Sequence, residues 1–271
     1  MSEELIQWPR AVYWTKTYNP MVGCQSISPA CDNCYARAWA DRFNVSFEPH
    51  MSTRTKPPRS GICFCGNVTD LFGDWNLVHE DGCYYHRVCD YIAETLGHDK
   101  TNPYKDKATY LWLTKRTWNL MEVLKDGGWE YNRDYWTHDA DTVDFCDCDL
   151  SNHYFGITTE NQEWFDRRYH GILKNQAPEY ANYWISAEPL LGPIDMKLSC
   201  MVSKPNTVIV GCESGRNRRF CDLKWITNIV DQCREVNVPV FVKQLCLESG
   251  KFTNKIEEFP KHLQIRQLGW L

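Results

Sequence analysis

The chain has 271 residues and a formal net charge of −5, with 24% charged residues and no long run of one sign. This balance excludes a protein that grips nucleic acid through a basic footprint over its whole surface, and leaves room only for a local basic groove. The length suits a single barrel-sized α/β domain over residues 1–271, and 12 Trp promise a large core with stacking surfaces.

The first residues, MSEELIQWPR, are acidic and polar, and no apolar run of roughly eighteen residues occurs, so a cytoplasmic protein with no membrane partner is expected. In a reducing compartment the 14 cysteines read as ligands or buried thiols rather than disulfides. Cys200, Cys212, Cys221, Cys233 and Cys246 stand singly among apolar residues and read as small core side chains.

In chain order, RAVYWTKTY (10–18) is rich in β-branched and aromatic residues and predicts a strand that Asn19-Pro20 ends. Cys24, Cys31 and Cys34 follow at spacing C-x6-C-x2-C, and helical composition begins at Tyr35. Structural zinc takes four protein ligands and a disulfide takes two. Three close thiolates without a histidine therefore leave two readings: a four-iron cluster with one iron open to a ligand, or a zinc knuckle completed by a distant Cys or His.

GICFCGN (61–67) predicts a buried strand, YYHRVCDYIAETLG (84–97) a helix, TYLWLTKR (109–116) a strand and TWNLMEVLK (117–125) a helix. Residues 126–152 hold seven Asp and no aliphatic period, which predicts an acidic insertion. Its Cys146 and Cys148 give a weak metal signal, with Cys83, His86 or Cys89 as partners, and Cys63 and Cys65 are further candidates for an auxiliary metal. Alternation resumes with strands at 153–159, 181–188, 207–215 and 239–246 and helices at 160–173 and 222–236. About seven strands with five or six helices is the pattern of parallel β/α units.

Polar residues gather where these strands end: Asn67, Thr69 and Asp70; Thr114, Lys115 and Arg116; Thr158, Thr159, Glu160 and Asn161; Ser186 and Glu188; Glu213 and Ser214; Lys243 and Gln244. In a parallel β/α barrel that rim binds substrate. The bland alternatives are ordinary helix caps and solvated loop ends, such as a capping box from Thr159 to Gln162. Tyr13, Trp14, Tyr18 and Trp39 near the cysteines are either base-stacking or core residues.

The blocks YNPMVGCQSISPACDNCYA, TDLF, WLTKR, FGITTENQEWFDRR, WISAEPLLGPID, VIVGCESG and VPVFVKQ resemble, in that order, a family of phage and prophage proteins with a three-cysteine, radical S-adenosylmethionine (SAM) type signature. The resemblance implies a partial parallel β/α barrel of radical-SAM type. It implies that Cys24, Cys31 and Cys34 hold a 4Fe-4S cluster, and that Glu188 and Glu213 line a cofactor and substrate cavity where Gly211 admits the adenine of SAM. Asp70, Lys115, Glu188 and Glu213 are the catalytic candidates; Asn67, Thr69, Glu160, Asn161, Ser186 and Gly211 are the cofactor-binding ones. The chemistry so implied is a 5′-deoxyadenosyl radical that takes hydrogen from unactivated carbon, fed by an electron donor such as flavodoxin or ferredoxin.

For the substrate, the resemblance implies a thymidine in phage DNA carrying a glycinyl-type amino-acid adduct that is isomerised. The net charge of −5 is compatible with this if a flipped base is gripped in the barrel mouth and a few local groups, such as Lys115, Arg116, Arg167, Arg168, Arg216, Arg218 and Arg219, meet the phosphates. The chain departs from the commonest radical-SAM pattern in having six residues between its first two cysteines, Asn33 before the third, and no GGE motif after the second strand. The alternatives are a radical enzyme acting on a peptide or small metabolite, and a non-catalytic metal-stabilised binding module. Pro29-Ala30-Cys31-Asp32-Asn33-Cys34 also resembles half of the zinc deaminase signature, but the first histidine is His50, so the upstream ligand and glutamate are missing.

Overall fold

The computed structural model describes residues 7–53, 56–80, 83–96, 107–125, 150–176, 181–215 and 217–271. One eight-stranded sheet runs through it with its strands in chain order: β1 (Lys16–Tyr18), β2 (Ser60–Cys65), β3 (Lys107–Thr114), β4 (His153–Thr158), β5 (Asn182–Ala187), β6 (Thr207–Gly211), β7 (Val240–Cys246) and β8 (Phe252–Thr253). Neighbours from β1 to β7 are parallel, and β8 returns antiparallel. The sheet curls into an open half-barrel flanked by helices.

Between consecutive strands lie α1 (Tyr35–Phe43), α2 (Val88–Leu96), α3 (Thr117–Lys125), α4 and, after β6, α5 (Leu223–Glu235). Helix α4 opens as Gln162–Phe165, widens to a π-helix over Asp166–Leu173 and closes at Lys174–Gln176. Of the connections between parallel neighbours, the β5–β6 one lacks an α-helix and has a short 3-10 turn at Leu198–Cys200, while β7 and β8 are joined by a short return. No helix among the described residues is long and apolar enough to cross a membrane.

Strand alternation sorts the side chains into two cores. Outward positions such as Cys63, Tyr110, Trp112, Phe155, Ile185, Val208 and Val240 pack with helix residues including Ile92, Leu120, Phe165 and Ile229. Inward positions Ile62, Phe64, Leu111, Trp184, Ile209 and Phe241 meet Tyr13, Leu268 and Trp270 from the chain ends, with Trp8 and Trp14 beside them. These rings meet edge to face: Tyr13 lies 5.7 Å from both Trp184 and Phe241, and Trp184 lies 5.7 Å from Trp270. The concave side is thus plugged with aromatics at one end, while at the strands' carboxyl ends its inward residues become small or polar: Thr158, Ser186, Gly211 and Lys243. That change of size opens a space.

Two predicted elements are shorter than the sequence suggested. The strand over 10–18 is confined to Lys16–Tyr18, because Tyr13 is spent as filler inside the half-barrel. The helix over 84–97 starts at Val88; the aromatic-rich Cys83–His86 instead pairs antiparallel with Leu77–Glu80. The expected acidic insertion, with Cys146 and Cys148, lies outside the described residues except for 150–152. Of the other cysteines, Cys63, Cys65 and Cys89 are fully buried in the outer core, as core thiols are; the side chain of Cys83 lies outside the described set. Cys212, Cys221 and Cys233 are buried as expected, whereas Cys246 is half-buried and Cys200 is exposed.

Gly156 is needed for the plug, because a Cβ there would stand 2.3 Å from the Trp184 ring, which is fully buried. Gly156→Ala is therefore expected to lose about 1–3 kcal/mol through overpacking. The reading is a lower urea midpoint at unchanged slope; a midpoint equal to wild type would contradict this packing.

Candidate active site

The loop bearing Cys24, Cys31 and Cys34 crosses the open mouth of the half-barrel and is tied down at both edges. On the β2–β3 side, buried Asp70 accepts from the Thr114 hydroxyl at 2.7 Å, from the Phe72 and Lys115 amides at 3.1 Å, and from Arg116 Nη1 at 3.2 Å. Arg116 then donates through Nη2 to the Gln25 carbonyl at 3.2 Å, inside the cysteine loop, and covers the Trp75 ring. Thr69 donates to the Gly23 carbonyl at 2.6 Å, and the Tyr35 hydroxyl donates to the Asn67 carbonyl. Gly23 takes φ +86°, and a Cβ there would stand 2.4 Å from the Glu48 carbonyl oxygen, so only glycine admits this turn before Cys24.

On the β6 side, Glu213 is only 3% exposed and receives four hydrogen bonds. Arg219 supplies its Nη2 at 2.6 Å, its amide at 2.8 Å and its Nε at 3.1 Å, while Asn33 supplies Nδ2 at 2.9 Å. Arg219 also donates to the Pro29 carbonyl at 2.8 Å and to Asp32 at 3.1 Å. Burial by itself raises the pKa of Glu213, but the bonds from Arg219 and Asn33 outweigh it and hold the carboxyl below its usual range.

Between these ties lies a cavity of about 450 Å³. Its walls carry all three cysteines, Asn67, Thr69, Asp70, Lys115, Arg116, Ser186, Glu188, Glu213 and Lys243; Trp14, Phe64 and Leu113 give it an apolar floor. Glu188 accepts from Lys243 at 2.6 Å and from Gln244 at 2.8 Å, both on Oε1, and the Lys243 ammonium lies 5.7 Å from the centre of the Trp14 ring. All three cysteines are free thiols. Burial, with the Asp70 carboxylate adding to it, pushes the Cys24 thiol up to about 11; it is protonated at neutral pH, and a metal binding there must displace that proton.

Three predicted site residues stand apart from this wall. Glu160 is fully buried and pairs with Arg168 at 2.7 Å, while Arg168 also donates to the Thr158 and Lys115 carbonyls; the pair braces the base of the rim. Asn161 caps α4, accepting from the Trp164 amide, so the cap in this turn is Asn161 rather than Thr159. Gly211 faces Gln244, whose Cγ would lie 3.3 Å from an added Cβ, because the β6–β7 register shifts there.

Most of the arginines expected to meet phosphates have partners within the chain. Arg116 and Arg168 are buried in ion pairs with Asp70 and Glu160, and Arg219 is committed to Glu213. Arg218 donates to the Gly215 and Gly250 carbonyls, Arg167 pairs with Glu163 on the surface, and Arg216 lies outside the described residues. Sequence reasoning missed the second function of Arg116 and Arg219, as ties on loop carbonyls, and the part of Asn33. Nothing local in the sequence marks a contact 180 residues away such as Asn33 to Glu213.

Fold and site together define an α/β half-barrel with a thiol-lined cavity at the carboxyl ends of its strands. The chain belongs to the family described as protein of unknown function (DUF5131), whose pattern it matches over residues 9–268. No curated protein and no solved structure matches it.

Arg219→Met leaves Glu213 buried without its main partner and is expected to cost about 1–2 kcal/mol at pH 7, allowing for the half-exposed arginine. Because the folded-state value of Glu213 is depressed, this stabilisation is present above the ordinary carboxylate value and is lost as pH falls through the folded one. The gap between wild type and variant in urea unfolding should therefore narrow below about pH 4. A gap that widened in acid would contradict the pairing.

Proposed function

We propose that this protein is a radical SAM enzyme in which Cys24, Cys31 and Cys34 hold a 4Fe-4S cluster, and that it isomerises an amino-acid-modified thymidine in phage DNA, the adduct being of glycinyl type. The observation that carries the radical reading is the donor set: three free thiols from one tied loop facing one cavity with polar strand ends. Among the described residues no three His, Cys, Asp or Glu side chains converge as ligands of one ion do. A cubane would take Cys24, Cys31 and Cys34 as its three protein ligands and would need no fourth. When bound, cluster and SAM would supply a 5′-deoxyadenosyl radical, which takes hydrogen from carbon that no acid or base at neutral pH deprotonates.

The chain's own residues would orient the reactants and keep water away. Trp14, Phe64 and Leu113 give a dry floor that suits a planar ring, and the volume is in the range of small-molecule sites. Lys115 lines the wall with no ion-pair partner among the described residues and suits a carboxylate or phosphate. Glu188 is fixed by Lys243 and Gln244 through Oε1, which leaves Oε2 for an amine or hydroxyl of a ligand. Asn67 and Thr69 follow β2, where a GGE motif would make its contacts to SAM, and Ser186 lines the same cavity. An electron donor such as flavodoxin or ferredoxin would serve the cluster.

Two outcomes are expected. Protein prepared without oxygen should be brown and carry about four irons per chain, and Cys31→Ala should lose them; stoichiometric zinc after anaerobic reconstitution would remove the radical reading. Supplied with reductant and SAM, the protein should change the retention time of the modified nucleoside in DNA at unchanged mass, and leave plain DNA untouched. If a peptide or free metabolite drives 5′-deoxyadenosine release while neither DNA changes, the substrate assignment is wrong and the radical chemistry stands.

A further inference from the structure

We propose that the exposed face of α1 is a stacking platform for single-stranded nucleic acid, carrying nucleotides that flank a base held in the cavity. For that base it rests on the function proposed above; the platform itself rests on α1 alone. The helix is inverted relative to an ordinary surface helix. Its buried residues are Ala36 and Ala40, whereas Tyr35, Trp39 and Phe43 are 54%, 54% and 56% exposed. A helix that buries alanines and turns three large aromatic side chains to water gives up burial that its own sequence offers.

The three residues stand four apart, so their Cβ atoms follow one another at about 6 Å along one side of the helix; the Trp39 and Phe43 ring centres are 5.2 Å apart. The line begins at the cavity, since Tyr35 follows Cys34 directly and lines its wall. A guanidinium accompanies it: Arg42 lies 5.6 Å from the Phe43 ring centre, whereas Arg37, around the helix from Trp39, lies 4.8 Å from the Phe47 ring centre and donates to the Cys24 carbonyl. With Asp41, these arginines leave the helix a net positive charge.

The geometry favours a nucleic-acid strand over a protein. A protein partner wants a broad apolar centre with a polar rim, whereas here two neighbouring rings carry a guanidinium beside them, which suits successive bases with a phosphate alongside. Duplex does not fit, because its paired bases keep their faces stacked on one another. The aromatics considered near the cysteines thus separate: Tyr13 and Tyr18 are core, Trp14 is cavity floor, and Trp39 faces solvent.

The test is fluorescence anisotropy of a labelled oligothymidylate with the full chain, prepared anaerobically and without SAM or reductant. Trp39→Ala/Phe43→Ala is expected to weaken binding about tenfold or more, while Trp39→Phe/Phe43→Tyr keeps it and Phe220→Ala, an exposed aromatic elsewhere at 74%, leaves it unchanged. Both altered side chains are largely in solvent, so thermal unfolding should not move. No oligonucleotide binding by wild type, or equal binding by the alanine pair, overturns the proposal. So does slower reduction by flavodoxin in the alanine pair with oligonucleotide binding intact, which would make the face a redox-protein dock. Because no turnover is involved, failure of the radical chemistry leaves this result standing, and the reverse also holds.

Discussion

The constraint on which the site depends is the neutralisation of two carboxylates that the fold buries at opposite edges of the half-barrel mouth. Asp70 and Glu213 are both nearly inaccessible, and a buried carboxylate without a partner costs several kcal/mol. Arg116 and Arg219 supply that partner, and each spends its remaining donors on the cysteine loop, at the Gln25 and Pro29 carbonyls. Charge compensation and loop placement are therefore one interaction. Loosening either pair would release the loop together with the charge, which is how a segment with little regular structure holds three thiols to one cavity.

The second requirement is a space for them to face. Trp184, Phe241, Tyr13 and Trp270 fill the closed end of the half-barrel, and the inward residues shrink to Thr158, Ser186 and Gly211 at the other end. A curled sheet with uniformly large inward residues would be solid throughout. The gradient from tryptophan to serine along the same faces makes a cavity whose floor is apolar and whose walls are polar, and it lies under the cysteine loop.

Much of this was legible in the chain. Seven parallel strands and most helix positions followed from apolar periodicity, and the polar strand ends named most of the cavity wall, because strand alternation and parallel order send those residues to one rim. What failed to read were departures from local rule. Tyr13 and Trp14 look like strand residues and serve as filler, since the open edge of the half-barrel needs covering from the chain ends. Glu160 looks like a rim acid and is sealed beneath it by Arg168 from the π-helical part of α4, a backbone irregularity that composition does not announce. Arg116, Arg168 and Arg219 looked free for phosphates; the fold pairs Arg116 with Asp70, 46 residues away, and Arg168 and Arg219 with the nearby Glu160 and Glu213. The outward aromatics of α1 could be read only once its alanines were seen to be buried.

If Cys24, Cys31 and Cys34 hold the proposed cluster, its fourth iron would be open to SAM. Electron paramagnetic resonance of the dithionite-reduced protein, recorded with and without SAM, checks this. The expected result is a reduced 4Fe-4S signal whose g values shift when SAM is added. A reduced cluster whose spectrum is indifferent to SAM, or no iron signal in protein that carries metal, would contradict it.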